Sequence, residues 1–133
     1  MSVGILIITH NDIGKQLLNT AEIMLGTCPL RVAALSITVK CDPDNLANRA
    51  EEMIGKLDEG DGVLVLTDMY GSTPSNIANR LLATPMVKVI TGVNLPMLIR
   101  VLNYPRLNLD QLSEKAQSGG RDGVMLCRTH PDT

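Results

Sequence analysis

The sequence predicts an α/β domain, a doubly wound three-layer α/β/α sandwich on a mostly parallel sheet of four strands plus an edge strand. Three observations carry this reading. Short β-branched or aliphatic runs, Val3 to Ile8, Arg31 to Ile37, Gly62 to Thr67 and Val87 to Thr91, alternate with longer segments of helical period. No linker, repeat or low-complexity stretch separates two folding units, so residues 1–128 read as one domain and 129–133 as a polar tail. The chain has 133 residues, 44% of them apolar, and a chain of that size buries about two thirds of its unfolded surface without help from disulfides or metal.

In chain order, the first run leads to Ile13, Leu17, Leu18, Ala21, Met24 and Leu25, which recur at steps of three and four. Asp12 stands where a capping side chain would start this helix and Gly26 where a left-handed residue would end it. The second run precedes Asp42-Pro43-Asp44, which opens the periodic set Leu46, Ala50, Met53, Ile54 and Leu57. The turn-rich cluster Asp58-Glu59-Gly60-Asp61-Gly62 closes it. A third helix is predicted from Thr73-Pro74, a capping residue followed by Pro at the first helical position, through Ile77, Ala78, Leu81 and Leu82. After the fourth strand, Met97, Leu98, Val101 and Leu102 mark a further helix, and Leu109 to Gln117 the last, broken by Gly119-Gly120. Val124 to Cys127 then reads as the edge strand.

Composition excludes several function classes. Lys+Arg 12 against Asp+Glu 14 leaves a net charge of −2, and two Tyr with no Phe or Trp provide no base-stacking platform. Nucleic-acid binding, which uses both features, is therefore not expected. The apolar runs fall far short of the roughly 18 residues of a membrane span, and the uncharged start Met1-Ser2-Val3-Gly4-Ile5 does not read as a secretion leader, so a cytoplasmic location is expected. Cys28, Cys41 and Cys127 match neither zinc nor redox spacing and read as reduced thiols. Met24, Met53, Met86, Met97 and Met125 read as core filling, and Arg121, Arg128 and His130 as solvated surface.

Ligands of doubly wound sheets bind beyond the carboxyl ends of the strands. Strand one ends in Thr9-His10-Asn11-Asp12, and strand three in Thr67-Asp68-Met69-Tyr70-Gly71-Ser72-Thr73-Pro74-Ser75-Asn76. If those strands are neighbours, His10 and Asp68 emerge side by side. A carboxylate on one imidazole nitrogen fixes the tautomer and leaves the other nitrogen free to attack. The turn Gly71 to Asn76 leads into a helix start whose free N–H groups favour an anion. Phosphoryl transfer depends mainly on positioning and charge stabilisation, so this set suffices without a metal. Each residue also has a plainer role: His as a loop residue, Asp as an Asx-turn residue, and Thr-Pro as a helix start. The joint placement favours chemistry.

At these residues the sequence resembles the enzyme IIA proteins of the mannose family in the bacterial phosphoenolpyruvate-dependent sugar phosphotransferase system. The resemblance rests on Gly4-Ile5-Leu6-Ile7-Ile8-Thr9-His10, Leu17-Leu18-Asn19-Thr20-Ala21-Glu22, Asp68 to Asn76, and Gly92-Val93-Asn94-Leu95-Pro96-Met97-Leu98. It implies that His10 accepts a phosphoryl group from the carrier protein HPr and passes it to an enzyme IIB partner, with no cofactor or metal. It further implies that Asp68 orients His10, and that Gly71, Ser72 and Thr73 form the phosphate-binding turn, Thr73 standing where the family usually has Ser. The family fold implies a homodimer in which an antiparallel edge strand, here Val124 to Cys127, is exchanged. Contact with a membrane would be indirect, through a permease complex. No IIB domain lies within the 133 residues, so the resemblance implies a separate one or none, and it leaves room for a regulatory role of the phosphorylated state. Competing readings are the phosphocarrier of a dihydroxyacetone kinase, a receiver-like module phosphorylated on Asp68, and a non-catalytic anion-binding domain.

Overall fold

The computed structural model describes residues 2–129, and its elements follow the predicted alternation. β1 (Gly4–His10) leads to α1 (Ile13–Leu25), β2 (Val32–Ile37) to α2 (Pro43–Leu57), and β3 (Val63–Thr67) to α3 (Thr73–Arg80). One 3-10 turn (Leu81–Ala83) precedes β4 (Val87–Thr91), and α4 (Leu95–Leu102) and α5 (Leu109–Asp122) follow. The strands lie in the order β2-β1-β3-β4 and every neighbouring pair is parallel. The chain moves outward from β1 in one direction to β2 and then in the other to β3, which puts the topological switch between β1 and β3.

Strand alternation sorts the core into two halves. On β1, Leu6 and Ile8 point toward α2 and α3, whereas Ile5 and Ile7 point toward α1, α4 and α5. On β3, Val63 and Val65 take the first side and Leu64 and Leu66 the second. All eight side chains are fully buried, each contributing about 1.5–3 kcal/mol relative to exposure. Burial on both faces explains why the central strands read as continuous apolar runs. The last polar positions of these strands inherit the same sorting: Thr9 falls on the α1 side, Thr67 on the α3 side.

Several expectations are corrected. Gly119-Gly120 does not break the last helix, which continues to Asp122. The glycines are there because α4 packs against them: a Cβ on Gly119 would lie 2.8 Å from the Arg100 Cβ, and one on Gly120 2.8 Å from the Met97 Cε. Val124 to Cys127 form no strand, so the sheet has four strands among the described residues. Val124 N–H is still tied to the helix end through the Arg121 carbonyl, and among the described residues none beyond it pairs with a strand. Of the five methionines, Met97 is in the core and Met53 packs against it, but Met24, Met86 and Met125 are exposed. Asp12 occupies the cap position of α1 without capping it, because its carboxylate accepts from the Ser36 hydroxyl at 2.8 Å. Gly26 does end α1 in the left-handed conformation. Cys28, Cys41 and Cys127 are free thiols, Arg121 and Arg128 are exposed, and His130 lies outside the described residues.

Candidate functional site

The parallel register places the predicted pair together. Ile8 pairs with Thr67, so Asp68 follows directly at the β1–β3 junction, beside the last residue of β1, His10. Asp68 Oδ2 accepts two hydrogen bonds from that residue, from the backbone N–H at 3.0 Å and from Nδ1 at 2.8 Å. The carboxylate thus takes over a backbone donor at the end of the sheet and fixes the ring with the same oxygen. Burial pushes the Asp68 carboxyl up, but the hydrogen bonds from the His10 side chain and backbone outweigh it and hold the group below the ordinary aspartate value. Asp68 is therefore ionised near neutrality and can only accept, so Nδ1 carries the proton and Nε2 carries the lone pair. The imidazole is 42% exposed and its carboxylate partner 12%, which leaves the free nitrogen accessible and the orienting group shielded.

Neighbouring backbone holds this geometry. Thr9 is buried and its hydroxyl accepts from Gly14 N–H at 2.8 Å, joining the end of β1 to the first turn of α1. Asn11 turns the chain with φ 47°, and its N–H donates to the Ile37 carbonyl.

The turn after Asp68 opens the third helix one residue earlier than predicted. Ser72 occupies the cap position and Thr73 and Pro74 the first two helical positions. Gly71 has φ +79° with nothing within 4 Å of a Cβ placed on it, so it is required by backbone conformation rather than by space. Ser72 does not cap, because its hydroxyl donates to the Met69 carbonyl at 2.6 Å. Among the described residues no group accepts from the N–H of Thr73 or Ser75. By contrast, α2, α4 and α5 are each capped by a side chain, those of Asp42, Asn94 and Asn108. The α3 start thus presents free donors and about half a positive charge at the sheet edge where His10 ends. Gly71 and Thr73 are exposed and Ser72 is half-buried.

Exposed apolar side chains, Ile13, Met69 and Tyr70, belong to the segments that follow His10 and Asp68. No group of three or more His, Cys, Asp or Glu side chains that could hold a metal is present among the described residues, and no helix there is long and apolar enough to cross a membrane. The sequence reading missed Ser36 as the partner of Asp12, and it missed Thr67 and Ser75, whose hydroxyls are buried without a partner. Ser75 was traceable, since it lies three residues before Ala78 on a buried side of α3.

With this geometry in place, comparison with known proteins is informative. The family model described as the PTS system fructose IIA component matches residues 4–117. The PTS system mannose-specific EIIAB component of Escherichia coli K12 is 34% identical over 134 residues, 98% of this chain and 41% of that protein. The transcriptional regulatory protein LevR of Bacillus subtilis is 30% identical over 97% of this chain and 14% of its own length. The chain therefore spans about two fifths or less of these relatives. Among solved structures, the mannose/sorbose-specific IIA subunit from Enterococcus faecalis superposes with a TM-score of 0.88 at 23% identity, covering all of both chains. The PTS IIA protein associated with the fucose utilization operon of Streptococcus pneumoniae gives 0.73 at 29% identity, over 89% of this chain and 93% of that one. The α/β fold is the one these subunits have, and the receiver-like, anion-binding and dihydroxyacetone kinase readings are not favoured. The chain belongs to the mannose-type enzyme IIA family of the bacterial sugar phosphotransferase system.

Proposed function

We propose that the protein is a phosphocarrier whose His10 Nε2 accepts a phosphoryl group from phosphohistidine on HPr and delivers it to a histidine of an enzyme IIB partner. The observation that supports this most directly is the double acceptance by Asp68 Oδ2, which holds the Nδ1 proton and leaves Nε2 as the free nitrogen of a partly exposed ring. In the first transfer the P–N bond to the HPr imidazole breaks as the P–Nε2 bond forms, in the second the P–Nε2 bond breaks as a P–N bond to the IIB imidazole forms, and the Nδ1 proton stays on His10 throughout. The ring gains positive character as it takes the phosphoryl group, and the Asp68 carboxylate offsets it. The free N–H groups at the start of α3, with the Thr73 hydroxyl and the backbone of Gly71 and Ser72, would receive the phosphoryl oxygens. None of these steps touches a sugar, which agrees with the different sugars in the names of the relatives.

The working unit in this reading is a homodimer. The outer edge of β4 is open, and a groove of about 570 Å³ runs beside it, lined by Val89, Ile90, Gly92, Gly120 and Val124 among others. Val124, Met125 and Leu126 are 77%, 78% and 82% exposed, so among the described residues an apolar segment without a partner and an edge without a neighbour occur together. Exchange of Val124 to Cys127 between two copies answers both needs.

The test is incubation with phosphoenolpyruvate, enzyme I and HPr, followed by mass spectrometry and by acid and alkali treatment. One acid-labile, alkali-stable phosphate on His10, absent from His10→Ala, is expected. No transfer from an HPr that phosphorylates a known IIA protein would overturn the assignment.

A further inference from the structure

Within the described residues, every buried side-chain oxygen or nitrogen that lacks a hydrogen-bond partner belongs to the stretch from the end of β3 to the first turn of α3: Thr67 Oγ1, Asp68 Oδ1 and Ser75 Oγ. Thr67 ends β3 and Asp68 follows it. Ser75 is the third residue of α3, the helix packed over that strand end, and both Thr67 and Ser75 are completely buried. Such groups cost stability and call for a reason. The three are chemically complementary, since Asp68 Oδ1 is an acceptor without a donor and the two hydroxyls are donors without an acceptor.

The second carboxylate oxygen matters to the reaction. Oδ2 is committed to His10 through both of its bonds, so Oδ1 is the handle by which the protein can hold the carboxylate plane while the charge on the ring changes. Thr67 has less freedom, because in a strand its β-branched side chain is restricted in χ1, whereas a threonine in a helix divides between two χ1 rotamers. Serine on a first helical turn has no such restriction, and the Ser75 hydroxyl has no hydrogen bond that would have to break. Its burial also lacks a packing explanation, since alanine would fill the same position with better helix propensity and no unpaired hydroxyl.

We propose that Ser75 is a positioning residue for the relay, its hydroxyl donating to Asp68 Oδ1, by rotation about its Cα–Cβ bond or through one bridging water, in the resting protein as well as when His10 is charged. The inference rests on the phosphocarrier reading and deepens it: Ser75 touches no phosphate and acts on His10 only through Asp68. A purely structural role and this one predict different transfer rates for Ser75→Ala. Loss of an unpaired buried hydroxyl alone should raise Tm by a few degrees and leave transfer unchanged. A positioning hydroxyl should leave Tm unchanged or raised while transfer from HPr slows roughly tenfold to a hundredfold, the size expected for a hydrogen bond to a charged group.

The experiment compares wild type, Ser75→Ala, Ser75→Thr and Thr67→Val in transfer from phosphorylated HPr. In the same unphosphorylated proteins, the exchange of the His10 Nδ1–H proton with water is read from its downfield NMR resonance. Faster proton exchange and slower transfer in Ser75→Ala, both restored in Ser75→Thr, are expected. Transfer and exchange both at wild-type values in Ser75→Ala would overturn the proposal, as would the losses appearing in Thr67→Val instead. The NMR arm needs no phosphoryl donor, so an absence of transfer even in wild type would count against the phosphocarrier reading and leave the Ser75 result readable on its own.

Discussion

The histidine–carboxylate pair concentrates the residue-scale chemistry in one oxygen, because Asp68 Oδ2 serves both the backbone and the ring of His10. Asp68→Asn keeps the shape and loses the charge, and an amide can present its NH₂ group to Nδ1 and so select the wrong tautomer. Transfer to His10 should fall roughly tenfold to a hundredfold, corresponding to about 1.5–3 kcal/mol for a hydrogen bond to a charged acceptor. Initial rates with phosphorylated HPr measure this. Acid stability follows from the same group. Its folded pKa lies below that of an unfolded aspartate, about 3.9, so on acidification the unfolded chain binds the proton first. The stabilisation is complete above that unfolded value and is lost as pH falls through the folded one. Urea unfolding from pH 6 down to pH 3 should therefore show a steeper decline for wild type than for Asp68→Asn. Parallel declines would mean that the pair contributes nothing to acid stability.

Among the elements, α5 shows how local and tertiary signals conflict. Two consecutive glycines carry a helix penalty of about 1 kcal/mol each, which is why the sequence reads as a break there. The helix persists because α4 packs directly on the glycines: a Cβ at Gly119 would collide with the Arg100 Cβ, and one at Gly120 would displace the terminal methyl of Met97. Gly119→Ala should gain at most about 1 kcal/mol of propensity and lose about 1–3 kcal/mol to overpacking, so the net effect is destabilising. Gly55 in α2 is exposed with nothing near a new Cβ, and Gly55→Ala should raise stability by about 0.5–1 kcal/mol. Urea denaturation of the two variants should give opposite signs; a stabilised Gly119→Ala would show that the helix pair can separate at no cost. The same contrast explains what was legible in the sequence. The four strands, the five helices and the His10–Asp68 meeting were readable because apolar periodicity is local and the switch-point rule is general. The continuation of α5, the diversion of Asp12 to Ser36 and the buried hydroxyls of Thr67 and Ser75 were not, because each depends on a neighbour distant in sequence.

For the whole molecule, the open question of assembly reduces to a balance of magnitudes. In a two-fold exchange, six large side chains, Val124, Met125 and Leu126 from each chain, would gain on the order of 10–20 kcal/mol at about 1.5–3 kcal/mol apiece. Association itself costs an estimated 4–15 kcal/mol, so the segment can sustain a dimer but holds little in reserve. Leu126→Asp removes one apolar group per chain and places two charges at the edge of the sheet. A loss of roughly 3–6 kcal/mol follows, or about two to four decades in dissociation constant. Sedimentation velocity at tens of micromolar should find wild type as a dimer and Leu126→Asp as a monomer. The single-chain core should be untouched, because Leu126 is 82% exposed and belongs to neither half of the core; far-ultraviolet circular dichroism should be unchanged. A monomeric wild type at that concentration would refute the exchange, and a dimeric Leu126→Asp would move the interface away from the β4 edge. The His10–Asp68 pair lies at the β1–β3 junction and is made within one chain, so the monomeric variant should keep the Nδ1–H tautomer, and any loss of transfer would then measure what the second copy adds to docking.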